Sequence, residues 1–292
     1  MKNKLVLFFG SILTGIVSFA GIMRDDAEEA GYRKLAAEHQ FDCVGKLFNG
    51  DRMIGSCVLI GKRKVLSAAH VMMEYTSFRQ DTMKMGNSTV VLNVPTSSSP
   101  VEAAKCHARF GDRDYAVKLI RIHPDYGKNP SSADLAFIGL AAEVTKVKPA
   151  RLNTTPDELG AAVVGVGYGA SGFSSKPAEV TQSRKKLAGQ NMVDSLGGRL
   201  LNGNRTTLIC DFDSPLEPSW NRIGSAKPLP LEYICSGGDS GGGLFRKGRK
   251  GWELVGLCHN SESGISTLLT QGYYGLLMEW TRISVYHHWI DQ

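Results

Sequence analysis

Short apolar runs separated by turn residues are the feature that most constrains how this chain can fold. Such runs are typical of β-strands, and the 33 glycines supply the turns between them. Together they favour an all-β protein built as a barrel or a sandwich. The runs lie at residues 56–60, 90–94, 116–122, 135–139, 162–166, 208–210, 252–258 and 273–277.

A few local patterns refine this prediction. Asn49-Gly50-Asp51 between two apolar runs predicts a hairpin, because Asn-Gly readily adopts positive φ. Residues 26–39 and 283–290 are the two plausible helical stretches, the second an amphipathic closing helix. The proline-rich segments 95–100 and 214–230 are predicted to be surface loops.

The first twenty residues are arranged like a secretory signal peptide. Lys2 and Lys4 are followed by an apolar run over 5–17 and by Ser18-Phe19-Ala20, where signal peptidase requires small residues. An uncleaved membrane anchor is the alternative, although the run is short for a bilayer span. We therefore expect a secreted or periplasmic protein with no stable membrane association after cleavage.

The mature chain should be a single unit of residues 21–292 with mild positive charge. Removing Lys2 and Lys4 lowers the formal charge from +6 to +4, since residues 1–20 contain no acid. The short basic runs 62–64, 184–186 and 246–250 lack interleaved aromatic residues that could stack on bases. We expect a monomer that does not bind nucleic acid.

Three motifs carry the chemistry, and they occur in a fixed order. They are Leu66-Ser67-Ala68-Ala69-His70, Asp134-Leu135-Ala136-Phe137-Ile138-Gly139-Leu140 and Gly237-Gly238-Asp239-Ser240-Gly241-Gly242. Taken alone, each is more often structural: a core histidine, a turn aspartate or a glycine-rich loop. The order His, Asp, Ser differs from that of subtilisin and of the α/β-hydrolases.

In this order and with these flanks, the chain resembles the trypsin/chymotrypsin-like serine proteases, as a bacterial-type secreted member. Ile122-His123-Pro124-Asp125-Tyr126, Gly165-Val166-Gly167-Tyr168-Gly169 and residues 285–290 resemble further landmarks, so the resemblance covers nearly the whole mature chain. It implies two antiparallel six-stranded β-barrels, at about 40–145 and 160–280, and a short C-terminal helix.

The resemblance implies a catalytic triad of His70, Asp134 and Ser240. His70 would accept the proton of the Ser240 hydroxyl, and buried Asp134 would orient the imidazole and stabilise the imidazolium. The backbone amides of Gly238 and Ser240 would form the oxyanion hole. The expected reaction is hydrolysis of a protein or peptide through an acyl-enzyme, with neither cofactor nor metal.

The family also implies a mode of activation. Its members usually insert a new N-terminal Ile or Val beside the Asp that precedes the catalytic serine, here Asp239. Ile22 is the candidate, exposed by signal cleavage and removal of at most Gly21. In the alternative, Gly21 remains and the pocket is ordered in another way.

The six cysteines are disulfide candidates in an oxidising compartment, with 15 possible pairings. Cys43 and Cys57 lie symmetrically about Gly50 in the predicted hairpin and could face each other. By resemblance, Cys235 and Cys258 lie on segments that line the specificity pocket and are expected to pair. These pairings leave Cys106 and Cys210, which are possible free thiols.

The specificity pocket does not resemble that of trypsin. Trypsins have an Asp six residues before the serine, where this chain has Ile234, or Tyr233 if the alignment slips by one; Glu232 requires a slip of two. The tentative pocket residues are Ile234, Cys235, His259 and Ser261. Preference for Arg or Lys is therefore not expected; His259 is either a structural residue or a ligand for an acidic side chain.

Two rival functions use the same fold. The first is a catalytically silent, protease-like binding protein, although the complete triad argues against it. The second is an esterase or transferase with the same triad.

Overall fold

The computed structural model describes residues 8–9, 21–85, 88–128, 133–261 and 271–292. The predicted signal segment thus lies outside the described residues, except for the short strand β1 (Phe8–Phe9). Within the described ranges, no helix is long and apolar enough to cross a membrane.

The N-terminal half forms a closed, six-stranded barrel. Its strands alternate buried and partly exposed residues where one face meets the barrel core, as in Cys106–Phe110 and Ala136–Leu140. The strands are β3 (Val44–Asn49), β4 (Arg52–Gly61), β5 (Lys64–Ser67), β8 (Cys106–Phe110), β9 (Arg113–Ile122) and β10 (Ala136–Leu140). Around the barrel, their order is β10-β5-β4-β3-β8-β9.

The predicted hairpin at Asn49-Gly50-Asp51 is confirmed. Asn49 pairs with Arg52, and Gly50 has φ of +57°, a value that favours glycine. This turn sets the register between β3 and β4.

A long hairpin leaves the barrel directly after His70. Its strands are β6 (Met73–Met85) and β7 (Ser88–Pro100), and β1 pairs with β7 in parallel. The prediction of a loop over 95–100 is wrong, because this segment continues β7 as an exposed strand. Pro95 and Pro100 are tolerated there because the β6–β7 sheet is small and irregular, with register shifts beside Ser77.

The C-terminal half forms a seven-stranded antiparallel sheet in the order β13-β11-β17-β18-β19-β15-β14. Its two terminal strands, β13 and β14, follow each other along the chain, and the amide of Asp194 between them bonds to Ile209 of β15. The sheet therefore curls back on itself. The strands are β11 (Ala162–Gly167), β13 (Leu187–Met192), β14 (Ser195–Leu201), β15 (Asn204–Asp211), β17 (Gly243–Gly248), β18 (Gly251–Ser261) and β19 (Leu277–Arg282).

The remaining elements complete an all-β fold with two helices. Helix α1 (Glu29–Ala36) is shorter than the predicted 26–39, and α2 (Ile283–Asp291) is the expected closing helix. Residues 214–230 contain only a short 3-10 turn, as expected of a loop, whereas residues 273–275 form a turn where a strand was predicted. The predicted all-β, trypsin-like fold class is confirmed.

A small sheet attaches residues 21–23 to the C-terminal half. Its strands are β2 (Gly21–Met23), β12 (Ser171–Phe173) and β16 (Tyr233–Ile234), with β2 in the centre. All three residues of β2 are buried. This sheet brings the start of the predicted mature chain under the loop that carries Ser240.

Candidate active site

His70 and Asp134 lie side by side because their strands are neighbours. His70 is in a 3-10 turn just after β5, Asp134 lies just before β10, and Ser67 pairs with Ala136. His70 Nδ1 is 2.6 Å from Asp134 Oδ2, and the His70 backbone amide donates to Asp134 Oδ1 at 2.8 Å. The carboxylate thus holds both the ring and the backbone of His70.

Asp134 is an ionised carboxylate in a buried position, with 1% of its side chain exposed. Burial by itself would raise the pKa of Asp134, but the charges of His70 and His259 and the hydrogen bonds from His70 outweigh it and lower the pKa below its ordinary value. Thr281 of β19 also donates to the Asp134 carbonyl oxygen at 3.1 Å. Both halves of the molecule therefore position this residue.

The turn that carries Ser240 packs on the strands that lead to His70. The Ser56 amide of β4 donates to the Ser240 carbonyl oxygen at 2.9 Å. Gly241 has φ of +79°, and a Cβ added there would collide with Ser67 and with the Ser56 carbonyl oxygen. Glycine at 241 thus lets the serine turn approach the His70 segment closely.

The predicted oxyanion-hole residues lie in the same turn. Gly238 has φ of +96°, and its carbonyl oxygen accepts a hydrogen bond from the Ser56 hydroxyl at 2.9 Å. In the part of the chain that the structure describes, neither the Gly238 nor the Ser240 amide donates a hydrogen bond to protein. Both residues are partly exposed, so these amides remain available to a substrate oxygen.

Asp239 points away from the cleft into a buried polar network. Its carboxylate accepts hydrogen bonds from Gly169 at 2.7 Å, from the Tyr233 hydroxyl at 3.0 Å and from Ser236 at 3.1 Å. Burial raises the pKa of Asp239 to about 6, although these donors and the Gly21 backbone act to lower it. Each of these donors is neutral, so no ionic partner offsets the burial.

The N-terminal strand β2 lies against this aspartate. Ile22 is wholly buried, and its backbone pairs with Gly172 and Ile234. The backbone group that contacts the Asp239 carboxylate is that of the preceding residue, Gly21. A Cβ on Gly21 would collide with the Tyr233 ring, so a side chain does not fit there.

Two of the four residues predicted to line the specificity pocket, Ile234 and Cys235, are buried. Ile234 and Cys235 are 2% and 3% exposed, and Ile234 is in β16, paired with β2. Glu232 is also buried, with its carboxylate accepting the Leu229 amide at 2.6 Å. Ser261 ends β18 opposite Met278. None of these placements puts an acid where trypsin has one.

His259 lies beside the His70–Asp134 pair, a position that the sequence did not indicate. Its Nε2 atom is 3.7 Å from Asp134 Oδ2, the oxygen that also binds His70. A register shift between Cys258 and Asn260 makes His259 the extra residue of a β-bulge. No sequence signal distinguishes such a bulged histidine from a pocket histidine, which is the role predicted for it.

All six cysteines are buried free thiols in the structure. The Cys235 and Cys258 thiols are close enough to hydrogen-bond each other. Cys57 pairs with Gly45, whereas Cys43 bonds to Leu59, so these two cysteines are offset by two residue pairs along the hairpin and do not lie opposite each other as predicted. In the described ranges, no group of three or more His, Cys, Asp or Glu is arranged to hold a metal ion.

The closed barrel carries a His–Asp pair, and the antiparallel sheet joined to it carries a glycine-flanked serine. This arrangement defines a trypsin-like serine protease fold. The family model for trypsin matches residues 32–290, and the chain belongs to the trypsin family. Among solved structures, neuropsin, a serine protease expressed in the limbic system of mouse brain, is similar with a TM-score of 0.54. It is 20% identical and matches over 87% of this chain and 94% of that chain.

Proposed function

We propose that the protein is a secreted serine endopeptidase with His70, Asp134 and Ser240 as its triad. The observation that carries this proposal is the His70–Asp134 contact of 2.6 Å beneath a serine turn packed on the same strands. Family membership implies protein substrates and a hydrolase.

In the proposed mechanism, His70 takes the proton of the Ser240 hydroxyl as this oxygen attacks the peptide carbonyl carbon. Asp134 stabilises the imidazolium, and the Gly238 and Ser240 amides bind the oxyanion. His70 then gives the proton to the leaving amine, which leaves an acyl-enzyme on Ser240. Water, deprotonated by His70, hydrolyses this ester and regenerates the serine.

Fluorophosphonate labelling of the mature protein tests the triad. We expect labelling and peptide hydrolysis by the wild type, and neither by Ser240→Ala. Unlabelled wild type would favour the silent binding protein, and labelled protein that cleaves esters but not peptides would favour the esterase. Gel filtration of Ser240→Ala checks the proposed monomer.

Activation is proposed to follow from signal cleavage. A cut after Ala20 would place the new ammonium on the Gly21 nitrogen that already contacts Asp239, and buried Ile22 would anchor the strand. A terminus at Ile22, the sequence-based candidate, would have to shift by about 3.3 Å, one residue along the strand. The cation would lower the raised pKa of Asp239 by pairing with its carboxylate.

N-terminal sequencing of active, exported enzyme distinguishes these termini. We expect Gly21, with Ile22 as the other terminus compatible with insertion. Asp239→Asn should abolish activity while leaving export intact. Active enzyme that begins well beyond Met23, or that retains residues 1–20, would contradict the proposal.

Primary specificity for Arg or Lys is not part of the proposal, because the nearby acids Glu232 and Asp239 are both buried and hydrogen-bonded within the protein. Preference for an acidic residue remains the second candidate, through His259. Profiling with a peptide library, with Ser240→Ala as the blank, would identify the preferred residue directly.

We propose that Cys235 and Cys258 form a disulfide in the exported protein, since their thiols lie close enough to hydrogen-bond each other. A disulfide that closes the loop between residues 235 and 258 should raise the free energy of unfolding by about 3 kcal/mol. We expect reductant to lower the Tm of wild type but not of Cys258→Ser, with Cys106→Ser behaving like wild type. Six free thiols in exported protein would contradict both this pair and the predicted Cys43–Cys57 pair.

A further inference from the structure

His259 lies between two carboxylates at the edge of the candidate active site. Its Nε2 atom is 3.7 Å from Asp134 Oδ2, and its Nδ1 atom is 3.9 Å from the Glu279 carboxylate of β19. Of the described acidic groups, only these two lie within ion-pair distance of His259. The His259 side chain is 18% exposed, and its buried Nδ1 atom lacks a hydrogen-bond partner among the described residues.

We propose that His259 is a positioning residue for Asp134, and that its protonation opposes the protonation of His70. This proposal rests on the proposed function and assigns a further residue to the same site. It follows from geometry: two histidines from different halves of the molecule share one buried oxygen, Asp134 Oδ2.

The shared oxygen makes the two imidazoles compete. During catalysis, Asp134 must stabilise the imidazolium of His70, and one buried carboxylate neutralises only one adjacent cation. A protonated His259 beside Asp134 therefore makes it harder for His70 to accept the serine proton. A neutral His259 leaves the full charge of the Asp134 carboxylate to His70.

The β-bulge explains why this histidine faces Asp134. Cys258 pairs with Trp280 and Asn260 pairs with Glu279, so His259 is left without a partner on β19. Bulges of this kind redirect a side chain beside an active site. The Glu279 carboxylate, 36% exposed, lies 3.9 Å from His259 Nδ1 on the solvent side.

The pH dependence of kcat/KM tests the proposal. In wild type, log(kcat/KM) should rise with pH on the acidic limb with a slope greater than one, because both histidines must be neutral. His259→Gln, which cannot titrate, should restore a slope of one and lower kcat roughly tenfold at neutral pH, because a flexible amide replaces the imidazole beside Asp134 Oδ2. KM and the preferred residue before the cut should not change, as expected when an interaction made only in the transition state is lost.

Two further variants keep the test decisive. Glu279→Gln should move the acidic limb to lower pH, by up to about one unit, because His259 loses a stabilising charge. His39→Gln, at a fully exposed histidine remote from the site, should leave the profile unchanged. A wild-type profile in both His259→Gln and Glu279→Gln would overturn the proposal, as would a change confined to KM and to cleavage after acidic residues.

A measurement in Ser240→Ala separates this proposal from the proposed function, because it needs no activity. Imidazole ¹⁵N titrations should show His70 and His259 as a coupled pair, and His259→Gln should move the His70 midpoint to higher pH. Failure of wild type to react with fluorophosphonate would refute the proposed function alone. An unmoved His70 midpoint would refute the coupling alone.

Discussion

At the scale of single residues, two glycines with nearly the same positive φ have different surroundings. Gly241, directly after Ser240, has φ of +79°, and Gly203, in the β14–β15 turn, has φ of +77°. A Cβ at 203 would meet nothing within 4 Å, whereas a Cβ at 241 would meet Ser67 and Ser56. Alanine substitutions at these two glycines therefore separate the free-energy cost of a positive φ from that of a steric collision.

We predict that Gly241→Ala lowers kcat/KM by roughly 100-fold, because it lifts Ser240 away from His70 by a fraction of an ångström or more. Gly203→Ala should lose only about 1–2 kcal/mol of stability through its left-handed backbone and keep full activity. Steady-state kinetics and urea unfolding measure the two effects. Equal activity in both variants would show that the close approach at Gly241 does not position the serine.

The His70–Asp134 pair was predicted from the resemblance of two short motifs to those of trypsin-like proteases, and the structure places these two side chains in contact. The sequence could not predict the contact of His259 with Asp134, because a one-residue bulge in β18 decides which way that side chain faces. Likewise, the proximity of Gly21 to Asp239 depends on how β2 pairs with β12 and β16, a long-range register that no local pattern encodes.

At the scale of elements, a buried ion pair joins the loop between the two halves to the end of β19. Arg282 donates to Glu158 Oε2 at 2.9 and 2.6 Å, and the two side chains are 1% and 0% exposed. Ser284 of α2 and Asn153 donate to the other oxygen, Oε1. The carboxylate thus holds β19, α2 and the connecting loop together.

We predict that Glu158→Ala destabilises the protein by about 3–5 kcal/mol, because it leaves the Arg282 guanidinium buried without a counter-charge. The control is Glu143→Ala, which removes an ion pair with Lys62 and Arg63 on the surface and should cost at most about 1 kcal/mol. Urea unfolding in the Ser240→Ala background avoids self-digestion. Similar losses in both variants would mean that the buried pair contributes no more than a surface one.

The elements that were predicted well are those with a regular amphipathic pattern or a strong turn signal. The β3–β4 hairpin followed from Asn-Gly, and the closing helix from its amphipathic pattern. The segment 95–100 was predicted as a loop from its prolines, yet this end of β7 pairs with β6 alone, so a proline there does not break a central ladder. The run 273–277 is apolar because its tyrosines are buried in a turn, so composition alone predicted the wrong element.

At the scale of the whole molecule, we expect a group of buried and half-buried acids in the C-terminal half to set how stability depends on pH. Burial raises the pKa of both Asp194 and Asp213 to about 7 and that of Glu232 to about 9, with mutual repulsion and Asp211 adding to the effect. Asp213 is 6% exposed, and its Oδ1 atom lacks a hydrogen-bond partner among the described residues. These carboxyls hold their protons in the folded state at pH values where they lose them in the unfolded state.

The free energy of unfolding should therefore fall as the pH rises. In the unfolded chain these groups ionise near pH 4, so between about pH 4 and 7 the folded state binds more protons, and Glu232 extends this range to about pH 9. We predict that Asp213→Asn flattens the dependence between about pH 5 and 7, because the amide has no proton to release. The measurement is urea unfolding of Ser240→Ala across this range, with exposed Asp112→Asn as the control. If Asp213→Asn and Asp112→Asn followed the same curve, Asp213 would be ionised in the folded protein, and the buried acids would not be the source of the pH dependence.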